Sequence, residues 1–511
     1  MIMSKRVNIK SESVFLLISA FSGNYSFLNA QEIKAKDDFD LKEWNIVFIT
    51  SDEHNPKIMG CAGNKVIQTP AMDRLAKEGV FFSNAYSCTP VSAPTRQTII
   101  TGLYPQEHGQ VENRCKFDPR IPTWAAYLKS KGYLTACIGK THSYTADNEL
   151  GFDFRIEHPA PAKNNWQTLP IPEADKKVYN DVSDNRFRGA PLPNDSVKFD
   201  GLVVKESIKW IGANKDKKFF IHCSLLQPHW PWWSPEKFYM MYDPKKIDFP
   251  TLKPGEIDFD FHGKKNAEQF GWISMTEEQH RLARARYYGS VSYVDQSVQQ
   301  ILDLLDKLNL TKKTIVIYSS DHGDMIGEKG LWFKNLMYDA SARVPLLVRM
   351  PGVLKPGTKY EGLISHVDYF QTIMGLAGIG EQLPTDLSGM NLSTSIIKNK
   401  PSRKYIFCVD NIPIENTANA GQEMVRSNQY KYIYYRKAPQ GEKEILFDMI
   451  SDPDETKNIV NDPRMRKIVD EHRSAMQTHL KSLKKQPFPM LVIDRKPQDF
   501  NKNADKTIIE N

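Results

Sequence analysis

Four apolar runs of the chain end directly in ionisable residues, and this repeated arrangement constrains the fold more than any other feature. The runs are Trp44–Thr50, Tyr133–Gly139, Phe219–Leu226 and Thr314–Ser320, and the residues that follow them are Asp52 and Glu53, Lys140 and His142, His229, and Asp321 and His322. Such runs, alternating with amphipathic stretches, predict the strands and helices of an α/β layer fold. Ligand sites of open α/β sheets lie outside the carboxyl ends of the strands, so the four endings predict one shared site.

The side chains at these endings have two kinds of chemistry. The acidic residues and His322 are hard ligands for a cation such as Ca²⁺ or Mg²⁺, whereas Lys140, His142 and His229 favour an anion. One Asp or His after a strand is more often a turn residue or a helix cap. Four such endings together indicate a site that binds both a cation and an anion.

A nucleophile for this site is offered by the segment Ser92–Gly102, which reads S-A-P-T-R-Q-T-I-I-T-G. Pro94 suits the first turn of a helix, which places Ser92 at a helix N-terminus, where free N–H groups stabilise an anion. Arg96 lies one turn further and can reach back to an oxyanion or to Ser92 itself. The residues alone predict either an anion-transfer site or a capped helix after a Pro-rich loop.

The same segment resembles the signature of the type I sulfatases, in which Cys or Ser, then x-P-x-R and a terminal T-G, marks the residue converted to formylglycine. Five further stretches resemble motifs of that family. They are Ile46–Glu53 (first metal strand), Thr69–Phe82, Gly139–His142 (G-K-x-H), Ser320–Asp324 with Gly327-Glu328 and the downstream Lys334 (second metal strand), and Leu446–Asn458 (closing subdomain). The resemblance covers most of residues 41–485.

This resemblance implies an alkaline phosphatase-like α/β fold, with a large, mixed, mostly parallel sheet between helices. We expect the catalytic domain over residues 41–385 and a smaller C-terminal α+β subdomain, with an antiparallel sheet and a helix, over residues 400–485. The helix Glu277–Leu308, which opens with a Thr276-x-x-Gln279 capping box, is expected to be scaffold.

Carried over residue by residue, the resemblance implies a metal held by Asp52, Glu53, Asp321, His322 and the modified Ser92. Glu53 stands where the family more often has Asp or Gln, which leaves open whether it contacts the metal or only supports a ligand. The mostly carboxylate set favours Ca²⁺, with Mg²⁺ or Mn²⁺ as alternatives.

The reaction that the resemblance implies is hydrolysis of a sulfuric ester. A hydroxyl of the hydrated formylglycine at Ser92 attacks sulfur, while Arg96, Lys140 and Lys334 balance the charge on the sulfate oxygens. His229 protonates the leaving alcohol and His142 accepts the proton of the second hydroxyl, or these two roles are exchanged.

The expected substrate is a sulfated carbohydrate of the algal polysaccharide or glycosaminoglycan type, and the run Trp230–Trp233 offers either aromatic faces for a sugar or packing. Residues 1–30 have a basic start, a short apolar stretch and a cleavage-like end, typical of an export signal, so a periplasmic or secreted protein is expected. A maturase that converts Ser92 to formylglycine is an expected partner.

Composition excludes several other classes. A net charge of +7 over 511 residues is too dilute for a nucleic-acid reader, and the longest apolar run, Val14–Ile18, is too short for a membrane span. The six cysteines form no C-x-x-C pair, which excludes a zinc ribbon.

Two other functions stay open from the sequence. One is a phosphomonoester or phosphonate monoester hydrolase on the same scaffold, and the other is an inactive carbohydrate-binding relative. The irregular segments 151–200 and 229–275 are predicted to cover the site and to select the sugar, and they carry no motif that names it.

Overall fold

The computed structural model describes residues 44–492, with the exception of residues 114, 146–148, 158–170, 183, 188, 193–199, 251–259, 382, 411–420, 437, 439–442 and 485–490. The expected export signal at residues 1–30 lies outside this part of the chain. The described residues belong to one unit, Leu41–Asn511. None of the helices described in it is both long and apolar enough to cross a membrane.

The described strands form an eight-stranded central sheet, a four-stranded C-terminal sheet and three two-stranded pairs. They are β1 (Asn45–Ser51), β2 (Val80–Phe82), β3 (Ala85–Tyr86), β4 (Cys115–Lys116), β5 (Leu134–Gly139), β6 (Phe154–Glu157), β7 (Pro191–Leu192), β8 (Phe219–Ser224), β9 (Ser234–Pro235), β10 (Thr314–Ser320), β11 (Leu346–Arg349), β12 (Thr358–Tyr360), β13 (Ile364–Ser365), β14 (Ile406–Asp410), β15 (Gln422–Arg426), β16 (Tyr430–Tyr435), β17 (Glu444–Asp448) and β18 (Leu491–Val492). The central sheet has the order β12-β2-β11-β10-β1-β8-β5-β6, and the pairs are β13-β3, β18-β4 and β7-β9. Strands β10, β1, β8, β5 and β6 are mutually parallel, whereas β11 runs antiparallel to its neighbours.

The register of the parallel strands aligns their carboxyl ends. Ser51 of β1 pairs with Ser320 of β10, and Thr50 pairs with Ser224 of β8. Gly139 of β5 in turn pairs with Ser224. Strands β1, β8 and β10 are buried along their whole length, as expected for parallel strands covered on both faces. The residues that follow β1, β5, β8 and β10 therefore leave the sheet at one edge.

The described part of the chain also contains thirteen α-helices. They are α1 (Pro70–Glu78), α2 (Ser92–Thr101), α3 (Pro105–His108), α4 (Trp124–Ser130), α5 (Glu173–Val178), α6 (Asp200–Ala213), α7 (Glu236–Tyr239), α8 (Phe261–Gln269), α9 (Glu277–Lys307), α10 (Asp339–Ala342), α11 (Tyr369–Leu376), α12 (Ser393–Ile397) and α13 (Arg466–Ser482). The expected capping box at the start of α9 is present, because Thr276 Oγ1 accepts from Gln279 N and Gln279 Oε1 accepts from Thr276 N. Helix α2 is buried throughout and ends at Gly102, whose φ of 67° is left-handed.

The C-terminal sheet is antiparallel, in the order β14-β15-β16-β17, and helix α13 contacts β15 and β16. A mostly parallel central sheet with a separate antiparallel sheet confirms the expected fold class. The limits given above for the two domains stay predictions. Five of the six cysteines are buried and Cys61 is half-buried.

Candidate active site

The edge of the central sheet brings the ionisable residues of all four runs together. Asp52 and Glu53 follow β1, Lys140 follows β5, and Asp321 and His322 follow β10. The loop after β8 is tied to the end of β1, because the backbone N–H of Asp52 donates to the Gln227 carbonyl at 3.3 Å. This loop carries His229, so the fourth ending also reaches the cluster.

Ser92 lies at the first turn of α2 and is 1% exposed. Its Oγ lies 2.9 Å from His322 Nε2 and accepts a hydrogen bond from Lys334 Nζ at 3.2 Å. A hydroxyl at a helix N-terminus, between an imidazole and an ammonium group, is placed where negative charge is stabilised.

Arg96 binds the two aspartates from the second turn of α2. Its Nε donates to Asp321 Oδ2 and its Nη2 to Asp52 Oδ2, both at 2.9 Å, and its Nη1 donates to Ser224 Oγ and to the Lys140 carbonyl. Only 4% of Arg96 is exposed. The guanidinium therefore holds the carboxylates in this structure, whereas the sequence prediction directed it at the sulfate.

Three carboxylate oxygens of the cluster have no hydrogen-bond partner among the described atoms, although both residues are fully buried. They are Asp52 Oδ1 and both side-chain oxygens of Glu53. Buried carboxylates without partners are costly, so the arrangement is suited to a cation that would complete it. Ligand atoms of Asp52, Asp321 and His322 lie within 4.8 Å of one another, and so do those of Asp52, Glu53 and His229.

His322 is oriented for such a cation. Its Nδ1 lies 2.9 Å from the Gly323 carbonyl, which leaves the Nε2 lone pair directed into the cluster. Nε2 is 3.6 Å from Asp321 Oδ1 and 4.0 Å from Asp52 Oδ1. A mainly oxygen donor set with one imidazole fits a hard divalent ion.

Charge in the cluster is unevenly compensated. Burial raises the pKa of Glu53, and the carboxylates of Asp324 and Asp52 add to this, although Lys334 opposes it. For Asp52, burial is outweighed by the combined charges of several groups, Lys140, Arg96 and Lys334 among them, so its pKa lies well below the ordinary value. The Lys140 Nζ lies 2.5 Å from Asp52 Oδ2, whereas Lys334 Nζ lies 3.6 Å from Glu53 Oε2. Glu53 is thus the carboxylate most in need of a cation.

The two histidines of the expected mechanism both have a lowered pKa. Burial is the main cause that lowers the pKa of His229 and of His142, and Lys334 and Lys140 respectively add to it. His229 Nε2 lies 3.5 Å from Glu53 Oε2, and its Nδ1 lies 2.5 Å from the Trp230 carbonyl. His142 Nε2 lies 2.7 Å from the Tyr144 hydroxyl.

Lys334 is presented by an unusual backbone. The residues on either side, Phe333 and Asn335, have φ values of 63° and 69°. Asp324 Oδ1 accepts from the Phe333 N–H at 2.8 Å and the Pro90 carbonyl from the Asn335 N–H at 3.2 Å. These contacts hold two non-glycine residues in the left-handed region, which keeps the lysine directed at Ser92.

Sequence reasoning missed several residues of the site. Ser224 binds Arg96, and Tyr287 donates to the Glu53 carbonyl at 2.7 Å. Asp324 is buried and its pKa is raised to about 7, chiefly by burial. Only Asp324 carried a signal, since it lies within the stretch Ser320–Asp324 that resembles a metal motif.

Other residues near the motifs have structural roles. Trp232 and Trp233 are buried, whereas Trp230 is half-buried. His222 bonds Thr50 and packs on aromatic rings, His54 bonds the Tyr318 hydroxyl, and His108 bonds Thr98. The tryptophan run is therefore divided between packing and the surface.

A profile of the sulfatase family matches residues 44–379, about two thirds of the chain. The chain belongs to the sulfatase family. A second profile, described as N-sulphoglucosamine sulphohydrolase, C-terminal, matches residues 327–486.

Similar proteins include several named sulfatases. The choline-sulfatase of Rhizobium meliloti (strain 1021) is 28% identical over 82% of this chain and 83% of its own length. The ulvan-active sulfatase of Formosa agariphila is 28% identical over 86% of this chain and 81% of its own. These relatives support a sulfatase enzyme.

Solved structures share the fold of this sulfatase. One, determined in complex with its substrate D-glucosamine-2-N,6-O-disulfate, has a TM-score of 0.69 at 21% identity and covers 86% of this chain and 98% of its own. The phosphonate monoester hydrolase of Agrobacterium radiobacter has the same TM-score at 22% identity, over 86% and 96% of the two chains.

Proposed function

We propose that this sulfatase removes sulfate from a sulfated carbohydrate and that Ser92, converted to formylglycine, carries the nucleophile. The observation that carries the proposal is the position of Ser92 Oγ, between His322 Nε2 and Lys334 Nζ and in a cluster of buried carboxylates with three oxygens that lack hydrogen-bond partners. An unmodified serine in this position would form a stable sulfate ester, so turnover needs the modification.

Asp52, Glu53, Asp321, His322 and the modified residue would hold one divalent cation, for which carboxylate oxygens favour Ca²⁺. When present, the hydrate of formylglycine supplies the attacking hydroxyl and the cation lowers its pKa. Arg96 holds Asp52 and Asp321 in place for this.

The remaining residues handle the charge and protons of the substrate. Lys334 and Lys140 compensate the charge that develops on the sulfate oxygens. His229, on the side of Glu53, takes up the proton that the attacking hydroxyl loses and passes it to the leaving alcohol, and His142 accepts the proton whose loss restores the aldehyde. Burial lowers the pKa of both histidines, which favours the neutral form that can accept a proton.

The carbohydrate substrate is supported by the printed names of similar proteins, which include an ulvan-active sulfatase and a protein in complex with a glucosamine disulfate. Export to the periplasm or beyond, directed by residues 1–30, fits a polysaccharide substrate. A formylglycine-generating maturase is the expected partner. Because Ser92 is only 1% exposed in the folded chain, we expect the maturase to act before this region folds.

The test compares matched esters of one alcohol. We expect wild-type protein, produced with a serine-type maturase, to release sulfate from sulfate monoesters with a kcat/KM at least about tenfold above that for the matching phosphate or phosphonate monoester. The fold is shared with a phosphonate monoester hydrolase, so the reverse preference would establish that alternative activity instead. Equal, low rates for wild type and Ser92→Ala would indicate an inactive carbohydrate-binding relative.

A further inference from the structure

Three Asp-x-Arg sequences in the described part of the chain form the same fork, in which one carboxylate binds Nε and Nη2 of the arginine two residues later. They are Asp118–Arg120, Asp184–Arg186 and Asp462–Arg464. The arginine side chain is 57% exposed in the first pair and 84% in the third, but only 22% in Asp184–Arg186. Of the three arginines, Arg186 is therefore the one that is mostly buried.

Arg186 is enclosed by aromatic rings. Its guanidinium carbon lies 4.2 Å from the centroid of Phe333 and 4.4 Å from that of Phe270, and Trp272 and Trp230 lie at 5.7 and 5.8 Å. The other half of the fork is fixed as well, because Trp272 Nε1 donates to Asp184 Oδ2 at 3.1 Å. Stacking and the fork together leave the guanidinium one orientation.

The four rings around Arg186, called the aromatic cage below, lie next to the active site. Trp230 directly follows His229, and Phe333 directly precedes Lys334. The rings of Trp230 and Phe333 meet at 6.1 Å, and those of His229 and Trp230 at 4.9 Å. The cage therefore adjoins the side on which the leaving alcohol is protonated in the proposed mechanism.

Arg186 retains donors for a ligand. A guanidinium has five N–H groups, and Asp184 occupies the Nε–H and one N–H of Nη2. No acceptor for Nη1 is found in the part of the chain that the structure describes, and part of the side chain is exposed. A rigid guanidinium edge with free N–H groups is suited to binding an oxyanion.

We propose that Arg186 binds a second oxyanion on the sugar of the substrate, a sulfate or a carboxylate, beside the sulfate that is removed. The inference rests on the proposed function, since it takes the substrate to be a sulfated carbohydrate. A cationic alcohol is disfavoured at the same place, because the aromatic cage that could receive it already holds a guanidinium.

Calorimetric titration of Ser92→Ala protein tests this subsite without turnover. The probes are pairs of sulfated monosaccharides, N-acetylglucosamine 6-sulfate with glucosamine 2-N,6-O-disulfate among them, that differ in a second sulfate or in a carboxylate. We expect at least one pair to show about tenfold tighter binding of the dianion, and we expect Arg186→Gln to abolish that difference. Pairs that differ in a second sulfate and pairs that differ in a carboxylate together identify which oxyanion is bound.

Arg464→Gln is the matched control, since it breaks the same fork at 84% exposure and should leave the preference intact. The double variant Asp184→Asn/Arg186→Gln removes the fork without leaving a buried carboxylate alone, and it should lose the preference as the single variant does. Absence of a preference in every pair, or its survival in Arg186→Gln, overturns the subsite. Failure of the proposed function is distinguished by sulfate release that persists in Ser92→Ala.

Discussion

Two buried clusters contain the same kinds of charged side chain, but they differ in whether the carboxylate oxygens have partners within the protein. In the proposed catalytic cluster, which consists of Asp52, Glu53 and Asp321 and is called the catalytic cluster below, three carboxylate oxygens lack hydrogen-bond partners. The interface cluster consists of Lys431 on β16, Asp339 and Glu455, and here Lys431 Nζ contacts Asp339 Oδ1, Glu455 Oε1 and the Met337 carbonyl at 2.5, 2.6 and 3.2 Å.

The acids of the interface cluster are also satisfied. Tyr86 Oη donates to Asp339 Oδ1, and the Asp339 N–H donates to Glu455 Oε2, both at 2.8 Å. The charges of this cluster are satisfied within the chain. The cluster connects the C-terminal sheet to α10, and its role is structural. The catalytic cluster is incomplete by itself, and that incompleteness is what indicates a ligand.

The largest effect on stability is expected for Lys431→Met. Removal of the ammonium group leaves the buried acids Asp339 and Glu455 without their cation, so the free energy of unfolding should fall by about 3–5 kcal/mol. Urea denaturation measures this, with Lys359→Met as a control, because Lys359 is exposed and should cost less than about 0.5 kcal/mol. Equal stability of the two variants would mean that the interface cluster contributes nothing.

A matched pair of glutamate variants separates the two clusters. Glu53→Gln should lower kcat/KM by about 10²–10³-fold and leave the free energy of unfolding in chelator unchanged or raised, because it removes a buried carboxylate whose oxygens accept no hydrogen bond. Glu455→Gln should do the reverse, losing about 1.5–3 kcal/mol of stability through its weakened bond to Lys431 while folded molecules keep their activity. Comparable losses of activity in both variants would contradict the assignment of a catalytic role to one cluster and a structural role to the other.

Metal removal should act on the catalytic cluster alone. At a Ca²⁺ concentration about 100 times its Kd, the unfolding free energy should be about 2.7 kcal/mol higher than in chelator. Lys431→Met should retain this difference and Glu53→Gln should reduce it, as measured by denaturation with and without each ion. Denaturation curves that match the chelator curve with Ca²⁺, with Mg²⁺ and with Mn²⁺ would contradict a cation site.

The last effect is a dependence of stability on pH, and it concerns His222, a buried histidine that belongs to neither cluster. Burial lowers its pKa to about 3, so between that value and about 6.5 the unfolded chain binds a proton that the folded chain does not. Stability should therefore fall as the pH is lowered through this range, by up to about 1.4 kcal/mol per pH unit from this residue. His222→Phe should flatten the slope by that amount, and an unchanged slope would show that His222 is protonated in the folded state.

The sequence was most informative where strand ends and chemistry coincide. The run Thr314–Ser320 is β10 as predicted, and the aligned register explains why Asp52, Lys140 and Asp321 meet. The sequence did not predict which partner each charged group binds. Arg96 is long enough to reach either a sulfate or the aspartates, and the packing of the folded site places it on the aspartates.

Residues contributed by irregular segments were the least predictable. The cage around Arg186 draws Phe270 and Trp272 from a segment without strand or helix periodicity, and the contacts depend on tertiary packing alone. The left-handed conformations of Phe333 and Asn335 were equally hidden, since only Asn commonly adopts that region. Trp232 and Trp230 show the same limit, because burial and not residue type separates them.

The most direct test of the central claim is the mass of the Ser92 tryptic peptide, measured on the same preparations as sulfate release. After co-expression with a serine-type maturase, sulfate release should rise in proportion to the fraction of the peptide that is lighter by two hydrogens, and Ser92→Ala should release none. Full activity in a preparation whose peptide carries only intact serine would contradict the account.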